Sequence, residues 1–204
     1  MVKTGEDDSF SSYKIINNIF DDYDILFIKD VKLFLWYLTI VDDVYNLICN
    51  IIETNNYKYV YGLTSSSGSM CLLNVLHKIS IFKKGVIING QTSLHNNILN
   101  KYKKRRCDCA IFDKTRILEE INESLLTPFN TIPKDMYDKY IFYYCNSVSD
   151  LVYYNYIKTI YPPNLHSNIF FDNTNNSHGG YIAHLLNCDT FLKEVKITFD
   201  KSAL

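Results

Sequence analysis

The chain of 204 residues is 47% hydrophobic and carries 21 basic against 22 acidic side chains, a formal net charge of -1, which is the balance of one globular domain of ordinary size. Near-neutrality removes the surplus of Lys and Arg on which sequence-independent binding to nucleic acid or to an anionic membrane depends. The one basic run, Lys101, Lys103, Lys104, Arg105 and Arg106, reads as a solvated helix end.

The first residues, MVKTGEDDSFSS, are acidic and polar with no uninterrupted apolar stretch behind them, so neither a secretory signal nor a membrane anchor is expected. Residues 1–20 show little pattern and are expected to be a flexible segment ahead of a single domain at 21–204. Six cysteines, at 49, 71, 107, 109, 145 and 188, lie mostly inside apolar runs, as thiols do in a reducing compartment, and the expected location is the cytoplasm. Only Cys107-Asp108-Cys109 is clustered. With no second cysteine pair and no spaced histidine pair, no metal site is expected.

Further on, short β-like runs alternate with helical patterns, the signature of a mainly parallel sheet covered by helices on both faces. The runs are 24–28, 57–63, 85–89, 140–145 and 168–171. Between the first two, Val44, Leu47, Ile48, Ile51 and Ile52 recur at helical spacing, with Asp42 or Asp43 placed to cap the start. Met70 to Ile79 is apolar on most faces, as in a helix buried against the middle of a sheet, which predicts an interior position for the strand Tyr57 to Leu63 just before it. Residues 94–138 form a long excursion with a helical run at 115–125, the usual form of a lid or substrate-facing insertion.

Only seven glycines occur, and five of them follow strand ends, the edge at which open α/β sheets bind ligands. The turn Thr64-Ser65-Ser66-Ser67-Gly68-Ser69 joins an apolar strand to the buried helix. Three readings fit it: a nucleophile elbow centred on Ser66, with Gly68 two residues after it and Thr64 in place of the glycine before it; a serine-rich helix cap; or a cradle of backbone N–H groups for an anion. A Walker-type loop would need Lys where Ser69-Met70 stands. Later strands lead into Asn146-Ser147-Val148-Ser149-Asp150 and Asn175-Asn176-Ser177-His178-Gly179-Gly180. Serine, acid and histidine thus follow three different strands in that order. A hydroxyl becomes nucleophilic only when an imidazole takes its proton, and the imidazole needs a carboxylate to set its tautomer; Ser66, His178 and Asp150 are the candidates. For Asp150 the alternative is an acid in a helix first turn, and for His178 a surface or capping histidine.

The phrases YVYGLTSSSGSMCLL, GVIINGQTSL, YIFYYCNSVSD and SHGGYIAHLL, together with YDILFIKD and LFLWYL ahead of them, resemble small α/β-hydrolase-like domains associated with bacterial surface-glycan and capsule gene clusters, over residues 23–186. The resemblance sets Ser66 on the nucleophile, Asn89-Gly90-Gln91 on a strand end where the family has Pro-Gln, and Asn146 with Asp150 on the acid phrase. The chain departs in having Gly68-Ser69 for the usual double glycine, Thr64 for the glycine before the serine, and no antiparallel strands opening the sheet. A minimal α/β-hydrolase-like fold is implied, with hydrolysis or transfer of an acyl ester of a small molecule or glycan and no cofactor. The backbone of Ser67 and the loop at Lys29 and Asp30 would hold the oxyanion. Trp36, Tyr37, Gln91 and Asn146 would bind substrate; core packing is the alternative for the two aromatics. A catalytically silent binding module of a glycan-modifying system is the second reading, and a transferase or nucleotide-binding protein that uses the serine-rich turn as an anion cradle is the third.

Overall fold

The computed structural model describes residues 12–29, 35–95 and 121–203, with the backbone alone at residues 13 and 35–37. The basic run at 101–106, Cys107-Asp108-Cys109, Asp30 and most of the helical run expected at 115–125 lie outside these residues.

Four strands, β1 (Val60–Ser65), β2 (Phe82–Ile88), β3 (Tyr140–Cys145) and β4 (Ile169–Asp172), form one sheet in the order β1-β2-β3-β4, and every neighbouring pair is parallel. The expected α/β fold is therefore the one observed. Among the described residues the longer helices are α1 (Tyr13–Ile19), α2 (Val41–Asn55), α3 (Gly68–Val75), α4 (Asp150–Ile160), α5 (His178–Leu186) and α6 (Asp189–Ala203), beside a single turn at Glu123–Leu126. A sheet that advances one strand at a time in one direction needs its crossovers on a single face if all are right-handed. Accordingly, α3, between β1 and β2, and α4, between β3 and β4, both contribute to the same core, together with Val41 and Val44 of α2. The opposite face is closed by the chain ends, with Phe20, just after α1, packing among Tyr181 of α5 and Phe191, Leu192, Val195 and Phe199 of α6.

Strand β3 shows why both layers are needed. Tyr140, Phe142 and Tyr144 enter the first core, while Ile141, Tyr143 and Cys145 face the second, the two-residue period of a strand buried on both sides. Phe129 and Tyr161 pack on Phe142, and Tyr137 in turn stacks on Tyr161 at 5.0 Å. The described end of the long excursion is thus core rather than lid: Phe129, Ile132 and Tyr137 are all buried.

Three sequence expectations are corrected. Residues 24–29 form no strand. Ile25 packs on the second core and Ile28 on the first, Tyr23 touches Tyr61, and Asp24 accepts a 2.6 Å hydrogen bond from the Tyr57 hydroxyl, so the segment passes from one face to the other beside β1 without joining the ladder. As a consequence, among the described residues β1 is an edge strand and not an interior one; all six of its residues are half-buried. Helix α3 is buried for a different reason than a central strand: α2 and the turn at Leu35–Ile40 pack on it, and the Asn74 amide donates 3.0 Å to the Leu125 carbonyl on its other flank. Finally, the start of α2 has no side-chain cap; Asp42 and Asp43 lie inside its first turn, where they favour the positive end of the helix dipole.

Candidate functional site

All the parts of the site lie at the carboxyl ends of the strands. Ser66 directly follows β1 and has φ of 49°, a left-handed backbone that a β-carbon disfavours by about 1–3 kcal/mol. What holds it there is hydrogen bonding to the end of β2. The Ser66 N–H donates to the Ile88 carbonyl at 3.0 Å, the Ser66 carbonyl accepts from the Gln91 N–H at 3.1 Å, and the Ser69 hydroxyl lies 2.6 Å from both the Ser66 and Gln91 carbonyl oxygens. Ser69, the departure from the double glycine, thus ties the turn to its neighbour.

The other departure is also accounted for. A β-carbon at position 68 would stand 2.7 Å from Thr64 Oγ1. The two positions flanking the serine face each other, and a threonine at 64 is compatible with the sharp turn because 68 is glycine. Across the strand, Gly62 lets α3 approach: a β-carbon there would meet Leu72 and Leu76 Cδ1 at 2.6 Å.

His178 is the first residue of α5, whose start is capped by Ser177 Oγ accepting from the Gly180 N–H at 3.1 Å. Its Nε2 lies 2.9 Å from Ser66 Oγ and its Nδ1 2.7 Å from Asp150 Oδ1. An ionised carboxylate only accepts, so the proton is on Nδ1, which donates to Asp150, and Nε2 accepts from the Ser66 hydroxyl. The imidazole is 25% exposed and the Asp150 side chain 1%.

Asp150 opens α4 and is held by groups that sequence reasoning missed. Ser147 Oγ donates to Asp150 Oδ2, the Asp150 N–H donates back to Ser147 Oγ at 3.2 Å, and Ser149 Oγ lies 3.1 Å from Ser147 Oγ. Since the one Ser147 proton goes to the carboxylate, Ser149 is the donor between the two hydroxyls. Cys145 Sγ, 3.3 Å from Oδ2, adds a third donor; burial raises the pKa of this thiol, which keeps the proton on sulfur. The S-x-x-D spacing of Ser147 and Asp150, akin to a capping box, was the available signal. Asp172, the other acid near the histidine, is engaged elsewhere. Its Oδ1 accepts from Thr174 Oγ1 at 2.6 Å and from Thr174 N–H at 2.8 Å, bonds that hold its pKa below the ordinary value.

The structure brings Ser66, His178 and Asp150 into one hydrogen-bonded chain, and the remaining candidates are placed as follows. The Ser67 N–H, at the start of α3, has no hydrogen-bond partner among the described residues. Lys29 stands exposed at the end of the segment beside β1, and Asp30 lies outside the described residues, as do the side chains of Trp36 and Tyr37. Gln91 is buried and adjoins Ser66 through its backbone. Asn146 bridges two loops instead of lining the cleft: its N–H donates to Asn175 O at 2.8 Å and its side chain to Asn173 O at 3.4 Å. That open cleft, about 460 Å³, adjoins His178 and is lined by Ser147, Val148, Ser149, Asn176, Ser177 and Gly179.

Of the other histidines, His77 and His166 bond to the backbone carbonyls of Leu73 and Tyr161. Among the described residues no group of three or more His, Cys, Asp or Glu side chains is placed to hold a metal ion, and no helix is long and apolar enough to cross a membrane. Chemically, the arrangement can pass a proton from a serine hydroxyl to an imidazole whose charged form a buried carboxylate stabilises.

The chain matches no protein-family model, and neither the curated proteins nor the solved structures contain a significant match to it.

Proposed function

We propose that the protein is a serine hydrolase or acyltransferase that acts on an acyl ester, of a small molecule or a glycan, through Ser66, His178 and Asp150. The observation that carries this reading is the unbroken hydrogen-bonded chain from Ser66 Oγ through His178 to Asp150. The left-handed backbone at Ser66 supports it further: a helix cap or a silent binding module has no need of that conformation, whereas a nucleophile raised above a sheet does.

In the first half-reaction His178 Nε2 takes the Ser66 proton as Oγ bonds to the ester carbonyl carbon. The carbonyl oxygen becomes an oxyanion, and the Ser67 N–H is the described donor free to meet it. Collapse expels the alcohol, which leaves with the proton held on Nε2, and the acyl group stays on Ser66. In the second half, Nε2 takes a proton from water or an acceptor alcohol as its oxygen attacks the acyl carbon, then returns the proton to Ser66 Oγ. The cleft touches His178, the residue that takes and returns the proton. The described cysteines are free thiols, which agrees with a cytoplasmic site of action.

A fluorophosphonate probe tests the reading. It should modify Ser66, located by mass spectrometry, and Ser66→Ala should abolish labelling while Ser65→Ala leaves it intact. Labelling that survives Ser66→Ala removes the proposal.

A further inference from the structure

The two reacting residues hang from consecutive residues of one strand end. Ile88, the last residue of β2, accepts the Ser66 N–H at 3.0 Å. Asn89, the next residue, holds the histidine: its Nδ2 donates to the His178 carbonyl at 3.1 Å. The same side chain reaches the acid's strand, where Oδ1 accepts from the Cys145 N–H at 3.0 Å, and the Asn89 backbone N–H donates to the Tyr143 carbonyl at 2.7 Å.

These bonds begin where the regular ladder stops. The β2–β3 pairing ends at Ile88 opposite Tyr143, and beyond that point the side chain of Asn89 replaces a strand. It is 0% exposed and has φ of 47°, a left-handed conformation that Asn tolerates better than most residues with a β-carbon. The turn points the amide across the sheet end, where Nδ2 donates to the His178 carbonyl and to Cys145 Sγ, the latter at 3.4 Å, and Oδ1 accepts from the Cys145 N–H.

We infer that Asn89 is a positioning residue which sets the distance between His178 and Ser66. The inference rests on the proposed Ser66 chemistry for its kinetic consequence, and on the hydrogen bonds alone for its structural one. The other attachments reach the histidine loop before His178: Asn146 bonds to Asn173 and Asn175, and Cys145 Sγ lies 3.7 Å from the Ser177 carbonyl. Asn173, Thr174, Asn176, Ser177 and Gly179 are exposed, and the Asn89 amide is the bond from β2 to the residue that carries the imidazole. Without it the His178 main chain loses its bond to the strand end that fixes Ser66, and a displacement of about 1 Å at a reacting group lowers rate by roughly 100-fold.

Asn89→Gly tests this directly, because glycine keeps the left-handed backbone and removes only the amide. Two readouts are measured on folded protein. The first is the downfield resonance of the proton shared by His178 Nδ1 and Asp150, which should be present in the native protein and broadened or lost in N89G. The second is phosphonate labelling of Ser66 resolved into probe affinity and first-order rate: the rate should fall about tenfold to 100-fold with affinity unchanged. Native protein that is not labelled at all would remove the Ser66 reading, and the resonance would still decide whether Asn89 positions the ring. Native protein that is labelled, with N89G matching it in rate and resonance, would overturn the inference. Should N89G not fold, N89D retains the acceptor for the Cys145 N–H and loses the donor to His178, and the same two readouts apply with the same outcomes.

Discussion

The turn that carries Ser66 and the loop that carries His178 meet at 2.9 Å but are built on different principles. Around Ser66 the chain is enclosed. Ser69, Met70 and Leu73 of α3 are fully buried, the turn is bonded to the end of β2, and its conformation follows from close packing of Thr64 against Gly68 and of α3 over Gly62. Residues 173–177 have no such packing. They are shaped by local polar bonds, Asp172 to Thr174, Asn175 to Ser177 and Ser177 to Gly180, and joined to the body by Asn146 at Asn173 and Asn175, by Cys145 at Ser177 and, at the next residue, by Asn89 at His178. Ser66 is therefore placed by the fold, and His178 by a few tethers. Damage to the first region should show as lost stability, and damage to the second as lost rate in a chain that remains folded.

The largest separation of rate from stability is expected for His178→Ala. The imidazole is a quarter exposed, so water can enter where it stood and meet the Asp150 carboxylate, which keeps its bonds from Ser147 and Cys145. Labelling of Ser66 should fall on the order of 10³-fold, the usual worth of a general base, while the thermal midpoint moves by no more than about 4 °C. Calorimetry and labelling on the same preparation check both; a large fall in midpoint would mean that the loop is part of the core after all.

Gly68→Ala probes the enclosed side. Its backbone is not left-handed, so alanine is objectionable only for the contact with Thr64 Oγ1 at 2.7 Å. Overpacking of this kind destabilises by about 1–3 kcal/mol. Thr64→Ala in the same chain removes the opposing atom and should recover most of the loss, with a coupling of roughly 1–2 kcal/mol in a double-mutant cycle by urea denaturation. Additive effects would show that Thr64 and Gly68 do not jointly shape the turn.

The contrast between the regions also explains what could be read from sequence. Strand β3 was legible to the residue because both its faces are buried and its apolar run is unbroken, and Ser66, Asp150 and His178 were legible because each follows a different strand. The position of β1 was not. Apolar pattern reports which faces are covered, and a strand flanked by the unpaired segment at 24–29 has the same pattern as one with a ladder on both sides. Nor could spacing reveal Asn89 or Cys145, whose role depends on which strand ends become neighbours. A left-handed conformation is usually signalled by glycine, yet among the described residues it falls on Asn56, Ser66 and Asn89 and on no glycine. Thr64, which departs from the nucleophile-elbow pattern in sequence, faces Gly68 in three dimensions, where the missing β-carbon leaves room for it.

The smallest effect is expected from Thr174→Val, which takes one bond from the histidine loop. Thr174 lowers the pKa of Asp172 through its side-chain bond first and its backbone bond second, and valine removes the first while keeping the second. A carboxyl whose folded pKa lies below its unfolded value contributes stability that is present above the unfolded pKa and lost as pH falls through the folded one. The native protein should therefore exceed T174V in thermal midpoint at neutral pH by only about 1–2 °C, since the pair is largely in solvent. The difference should shrink to nothing once the pH has dropped below the carboxylate range, where Asp172 is protonated in both states. A midpoint difference that persists unchanged in acid would assign the effect to lost packing rather than to the carboxylate. If the loop is held by independent tethers, labelling of Ser66 at neutral pH should change less in T174V than in N89G. Equal losses would make Asp172 and Asn89 parts of one cooperative support for His178.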